Sequence, residues 1–184
     1  MAYTSSQVVQ AVPTGINSAL VLIARTTFTA ATTLTMANVF SSTYDNYLVL
    51  VTQLAASETS GEARVNLGTS STRDQGSNYN LQLCATNNQS FTGTRYTSND
   101  YFLFLGSYVG TNPRNSLGIT LYAPNKAANT SVTAVNFGHT TAINTETGAG
   151  WLNTSTQYTD FFLTTNSGSV THTATITVYG YTNS

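Results

Sequence analysis

Residues 171–178 read THTATITV, a run in which threonine alternates with His172, Ala174, Ile176 and Val178. Successive side chains of a β-strand point to opposite faces, so a period of two indicates a strand with one buried face. The same period recurs at residues 64–67, 81–84 and 117–122, whereas helical spacing is hard to find anywhere. The sequence therefore predicts an all-β fold.

Turn-forming residues divide the chain into short runs. Clusters such as Asp74–Asn78 and Asn166–Gly168 separate roughly ten predicted strands. Two runs, Tyr47–Val51 and Tyr101–Leu105, are apolar on both faces, which is typical of central strands with a neighbouring layer or subunit on the second face. We predict one antiparallel β-sandwich domain over residues 19–184, of jelly-roll type.

The first eighteen residues differ from the rest of the chain. Residues 1–18 are polar, alternate weakly and contain Pro13 and Gly15. A polar segment without a core of its own becomes ordered by packing on something else, so we predict an N-terminal extended arm that anchors the protein to a neighbouring subunit. A frayed terminus is the competing interpretation.

Charged side chains are scarce. Only 7% of the 184 residues are Asp, Glu, Lys or Arg, and the formal net charge is −1, whereas a soluble domain contains about 25%. Such a surface has little self-repulsion, so we expect it to pack against other subunits. Nucleic acid and anionic membranes require clustered positive charge, and no apolar run is long enough for membrane insertion. The basic residues are instead scattered: Arg25, Arg64, Arg73, Arg95, Arg114 and Lys126.

The single cysteine and the first residues bear on where the chain is made. Cys84 has no partner for an internal disulfide. Met1–Ser6 lack the basic segment of a secretory signal. Both observations suit synthesis in a reducing compartment.

An aromatic corner is predicted where residues 40–51 read FSSTYDNYLVLV. Asp45 and Asn46 are turn-forming residues that precede an apolar strand. We expect three aromatic side chains to pack around this turn, and a fourth to reach it from the last strand before a glycine releases the chain. The five aromatic and glycine positions are Phe40, Tyr44, Tyr47, Tyr179 and Gly180.

This corner, with LVLIARTTF at residues 20–28 and TITVYGY at 175–181, resembles small virion proteins of tailed bacteriophages, described as minor tail or tail-fibre-like. The resemblance covers most of the chain from Gly15 onward, and the middle matches only in pattern. It implies a non-enzymatic virion protein, made in the host cytoplasm, that forms a homo-oligomer. A trimer is expected because the tail fibres that it resembles are trimeric. Its other partners would be proteins of the tail or capsid.

No residue pattern is typical of a catalytic, metal or cofactor site. His139 and His172 have no metal-ligand spacing to each other or to Cys84. Neither a Gly-x-Ser-x-Gly elbow nor an EF-hand loop occurs. The acids are spread along the chain and most lie in turn contexts, although folding can still bring two carboxylates together as in a glycosidase. We predict no catalytic residue, no metal, no cofactor and no enzyme activity.

Trp151 is the candidate for contact with a host glycan. It follows Gly148-Ala149-Gly150, which we interpret as a loop, and exposed aromatic rings beside Asn and Thr stack on sugars. A ring that caps the core or an intersubunit seam is the competing interpretation. Three functions stay open: a tail or tail-fibre component for assembly and host attachment, a capsid-decoration or head-fibre protein, and a carbohydrate-binding module.

Overall fold

The computed structural model describes residues 20–58, 61–87, 90–109, 111, 115–139, 143–165 and 169–182. These residues form thirteen strands and contain no helix. The predicted arm, residues 1–18, lies outside the described part. The strands are β1 (Leu20–Ala31), β2 (Thr33–Met36), β3 (Asn46–Ala56), β4 (Gly61–Thr69), β5 (Thr72–Arg73), β6 (Tyr79–Asn87), β7 (Ser90–Asn99), β8 (Phe102–Val109), β9 (Asn115–Tyr122), β10 (Ser131–His139), β11 (Ile143–Leu152), β12 (Asp160–Thr165) and β13 (His172–Tyr181).

Two antiparallel sheets pack against each other, which confirms the predicted all-β sandwich. The large sheet has the order β1-β13-β3-β9-β10-β11-β6-β7. The small sheet has the order β2-β12-β4-β5, and β8 also pairs with β4. Most connections pass from one sheet to the other, so strands distant in sequence become neighbours.

The core lies between the sheets, and the alternation of the last strand is confirmed. His172, Ala174, Ile176 and Val178 all lie on the inner face of β13 and are buried. The inner faces of β3 and β9 are apolar in the same way, and the small sheet closes over them. Their fully or almost fully buried residues are Tyr47, Val49, Val51, Leu117, Ile119 and Leu121 on the large sheet, and Val65, Leu67, Phe161 and Leu163 on the small one.

The predicted aromatic corner forms around Tyr47. The Phe40 ring meets the Tyr47 ring edge-on at 4.9 Å between centroids, and the Tyr44 ring does so at 5.9 Å. The Tyr47 hydroxyl donates to the Ser41 carbonyl at 2.8 Å and accepts from the Ser41 amide at 2.7 Å. The chain turns before Asn46, the first residue of β3.

The predicted roles of Tyr179 and Gly180 are wrong. Strand β13 continues through Gly180 to Tyr181, so the glycine does not release the chain. Gly180 lies opposite Tyr47, and a Cβ there would come within 2.5 Å of the Tyr44 ring. Tyr179 lies opposite Leu48 on the other face of the sheet. The missing side chain of Gly180 therefore leaves room for the Tyr44 ring. Tyr179 faces away from the corner.

One of the two strands predicted as central lies at an edge. Strand β3 lies between β13 and β9, as expected from Tyr47–Val51. Strand β8, predicted from Tyr101–Leu105, pairs with β4 alone among the described strands. The Arg64 guanidinium covers the Tyr101 ring at 4.2 Å, which explains an aromatic residue away from the core.

Candidate interaction surface

The carboxylate of Asp160 is fully buried and holds three segments together. Its Oδ1 accepts from the Asn38 amide and from the Thr159 hydroxyl, both at 2.8 Å. Its Oδ2 accepts from the Ser71 amide at 2.6 Å. A carboxylate that is closed off from solvent and has donors on both oxygens acts as a structural anchor.

A second, partly buried network surrounds Asp74. Its Oδ2 accepts from the Tyr158 hydroxyl, and its Oδ1 accepts from the Gly76 amide at 2.8 Å. The Tyr79 hydroxyl donates to the Asp74 carbonyl and accepts from the Leu67 amide, both at 3.1 Å. Burial raises the pKa of both phenols above the ordinary value, so they stay protonated. This network closes the end of the sandwich near β5.

Two further ionisable groups lie on the inner face of the large sheet. Glu146 is 4% exposed and accepts from the Asn136 side-chain amide at 2.7 Å, and burial raises the pKa of its carboxyl to about 7. His172 is buried, and neither ring nitrogen has a hydrogen-bond partner among the described residues. Burial lowers the pKa of His172 to about 4.

These buried groups do not converge on one site. Glu146 is on β11 and His172 on β13, with β3, β9 and β10 between them, so the strands are about 19 Å apart. The described side chains include no group of three or more His, Cys, Asp or Glu residues that could hold a metal ion. Within the same residues, no helix is long and apolar enough to cross a membrane.

The outer face of the large sheet carries the exposed apolar side chains. Directly opposed residues of antiparallel strands share a face, so the register assigns each side chain. Val135 is 63% exposed and lies opposite Gly118 and Thr147, and Phe91, 72% exposed, belongs to the same face through Thr86. Every large hydrophobic residue found exposed in the described chain lies on this face: Leu20, Leu22, Phe91, Tyr122, Val135 and Trp151.

The middle of this outer face is uncharged. The six central strands, β13-β3-β9-β10-β11-β6, place no Asp, Glu, Lys, Arg or His among the described side chains of the outer face. Threonine, serine, small residues and apolar side chains such as Leu48 and Val135 occupy it instead. Arg25 and Arg95 lie on the two edge strands, β1 and β7, opposite Thr177 and Gln82.

A shallow trough crosses the centre of the face. It has a volume of about 250 Å³ and is lined by Leu48, Gly118, Thr120, Thr133, Ala134 and Val135. Gly118 forms its floor, because a Cβ there would be 3.7 Å from the Leu50 side chain and would fill the space. The exposed Val135 side chain stands directly beside it. The centre therefore offers an apolar projection next to an apolar recess.

Trp151 lies at the rim of the same face, and the prediction of a loop there is wrong. It belongs to β11, opposite Ser131 on β10 and Asn80 on β6. Ser131 is in turn opposite Tyr122, at the end of β9. The Trp151 side chain is 45% exposed and Tyr122 is 40% exposed, so Trp151 does not cap the core.

The chain matches no protein-family model, and no curated protein or solved structure is significantly similar to it. The resemblance to phage virion proteins therefore rests on the quoted motifs and stays a prediction. The sequence predicted the outer face of the large sheet only in part. The run Tyr47–Val51, apolar on both faces, indicated a second covered side for β3, but Val135 and Tyr122 carried no such signal.

Proposed function

We propose that the protein is a non-enzymatic structural component of a tailed-bacteriophage virion that forms a homo-oligomer through the outer face of the large sheet. One observation carries the proposal: all the exposed large hydrophobic residues of the described chain lie on this face, whose six central strands are uncharged there. Exposed apolar side chains that all lie on one face favour an interaction site on that face. Each copy would lose little by desolvation, because there is no charge to bury.

The face is large enough for a stable contact. Six strands span about 29 Å. A shared length of roughly seven residues, without the end row that holds Tyr122 and Trp151, adds about 23 Å, which gives an area of about 670 Å². An interface of standard size buries about 600–1,000 Å² on each partner. A trimer would place three such faces around its axis.

The virion assignment is supported by the motifs at residues 20–28, 40–51 and 175–181 and by the low charge of the chain. A tail or tail-fibre component that takes part in assembly and host attachment is the first form of the proposal. A capsid-decoration or head-fibre protein is the second. Copy number separates them: quantitative mass spectrometry of purified virions would find few copies for a tail protein and hundreds for a shell protein. Absence of the chain from the particles would overturn both.

The oligomer is tested with Val135, because its exposed side chain can change without disturbing the core. We expect the purified full chain to have the mass of a trimer by light scattering, and Val135→Glu to dissociate it. Val135→Thr, which keeps the shape and adds no charge, is the matched control and should stay trimeric. A wild-type monomer at tens of micromolar, or a Val135→Glu variant with unchanged mass, would reject assembly through this face.

A further inference from the structure

The geometry points to a binding site for a neutral glycan at the rim of the outer face, with Tyr122 and Trp151 as its two stacking rings. The inference deepens the proposed function, because it rests on the host-attachment part and names the class of ligand. The rim is distinct from the trough: it comprises the row Asn46, Tyr122, Ser131, Trp151 and Asn80, across the ends of five neighbouring strands.

The backbones that carry the two rings have the spacing of alternate units in an extended sugar chain. Tyr122 is on β9 and Trp151 on β11, and Ser131 of β10 lies between them in register. Two strand spacings separate their backbones by about 10 Å. Alternate rings of a β-1,4-linked polysaccharide are separated by a similar distance and present the same C–H face. Two stacked sugar rings can therefore bracket a third that passes over the exposed Ser131.

Hydrogen bonds hold the backbone at the residue that follows each ring. Leu152 is fully buried and its amide donates to the Thr130 carbonyl at 2.8 Å. Beyond Tyr122, the Ala123 amide donates to the Asp45 carbonyl at 2.8 Å. A platform that is already ordered has less conformational entropy to lose on binding.

Gly150 adds to the rigidity of the platform. A Cβ at Gly150 would lie 2.1 Å from the Asn80 carbonyl, so the glycine allows β11 to approach β6 closely next to Trp151. The glycine-rich sequence before Trp151 therefore serves a close contact between strands.

The chemistry of the rim selects a neutral ligand. Asn46 lies at one end of the row and Ser131 at its middle, so an amide and a hydroxyl group flank the rings. At the other end the Asn80 side chain donates to the Asn78 carbonyl at 3.1 Å and accepts from the Ser98 amide at 3.3 Å, which fixes it beside Trp151. The nearest charges in sequence, Asp45 and Lys126, pair with each other at 2.8 Å. With no unpaired cation described in the row, an acidic sugar gains nothing over a neutral one. Aromatic faces flanked by short polar groups suit neutral hexose units.

The test measures binding of neutral β-1,4-linked hexasaccharides, cellohexaose and chitohexaose, to the full chain by calorimetry and tryptophan fluorescence, with hexagalacturonate as the acidic comparison. We expect binding of at least one neutral probe, lost by about tenfold for each of Trp151→Ala and Tyr122→Ala. Phe91→Ala is the matched control, since that exposed aromatic ring lies on the same face at the far edge strand. It should bind as the wild type does.

Oligomeric mass, measured on the same samples, separates the two proposals. Unchanged mass with lost binding supports the glycan site. Dissociation on Trp151→Ala would show that the row is a seam between subunits and would overturn the inference while supporting assembly. No binding of either neutral probe, preference for the acidic probe, or equal loss with Phe91→Ala would also overturn it, and none of these results bears on the Val135 test.

Discussion

The two faces of the large sheet are built from the same strands and have opposite chemistry. On β3, Tyr47 and Val49 are fully buried under the small sheet, whereas Leu48 between them borders the open trough. Among the described side chains, the inner face carries one carboxyl and one imidazole, those of Glu146 and His172, and both are buried. Burial under the small sheet and exposure on the outer face thus fall on alternate residues, so substitutions at adjacent positions should separate effects on folding from effects on association.

The largest effect is expected at the aromatic corner. Tyr47→Ala removes a fully buried ring and its two hydrogen bonds with Ser41, and should lower the free energy of unfolding by about 3–5 kcal/mol. Leu48→Ala, one residue away on the outer face, should cost about 1 kcal/mol or less. Denaturant unfolding of both variants measures the difference, and equal losses would show that the two faces are not distinct.

A smaller loss of stability is expected at Gly180, which the Tyr44 ring contacts. Gly180→Ala should destabilise the protein by about 1–3 kcal/mol, because the added methyl meets the Tyr44 ring. In a Tyr44→Ala background the same substitution should be almost neutral, since the space is then empty. Thermal unfolding of the wild type, the two single variants and the double variant tests this coupling. Additive effects in the double variant would show that Gly180 does not make room for the Tyr44 ring.

The pH dependence of stability arises on the inner face, from two opposed groups. The pKa of Glu146 rises from 4.5 to about 7 on folding, so its contribution to stability is lost as the pH rises through that range. The pKa of His172 falls from 6.5 to about 4, so its contribution is lost as the pH falls through that range. Between pH 4.5 and 6.5 the two slopes therefore oppose each other, and the wild-type protein should vary little.

Single variants should reveal the pH dependence of stability that each of the two groups contributes. Glu146→Gln keeps an acceptor for Asn136 and should lose roughly 1–2 kcal/mol on acidification across that window. His172→Leu should lose a similar amount as the pH rises across it. Chemical denaturation at several pH values measures both, and two variants with slopes of the same sign would refute the assignment.

Local pattern predicted the sandwich because alternation reports burial directly, as at Ile176 and Val178. The corner was also readable, since Phe40, Tyr44 and Tyr47 are close in sequence. The rest depends on pairing between distant strands. Gly150 looked like a turn residue, but it serves a close approach of β6, and that approach places Trp151 in a strand.

The sequence could not predict the edge position of β8, or which residues share a row on the outer face, for the same reason. An apolar run such as Tyr101–Leu105 does not reveal whether a strand or the Arg64 side chain covers its second face. Likewise, Tyr122 and Trp151 meet only through the register of β9, β10 and β11. Sequence pattern therefore predicted which face of a single strand is buried. Predicting the candidate site would also have required the order and register of the strands.

The smallest effect on the stability of a single subunit is expected at Val135, on the outer face. Because 63% of the side chain is exposed, Val135→Glu should change the stability of an isolated subunit by no more than about 0.5 kcal/mol. An assembled protein gains further stability by mass action, so its melting temperature rises with concentration. We expect that rise in the wild type and its absence in Val135→Glu, with equal melting temperatures at high dilution. A variant less stable even when dilute would place Val135 in the folding of the subunit and remove the division between the two faces.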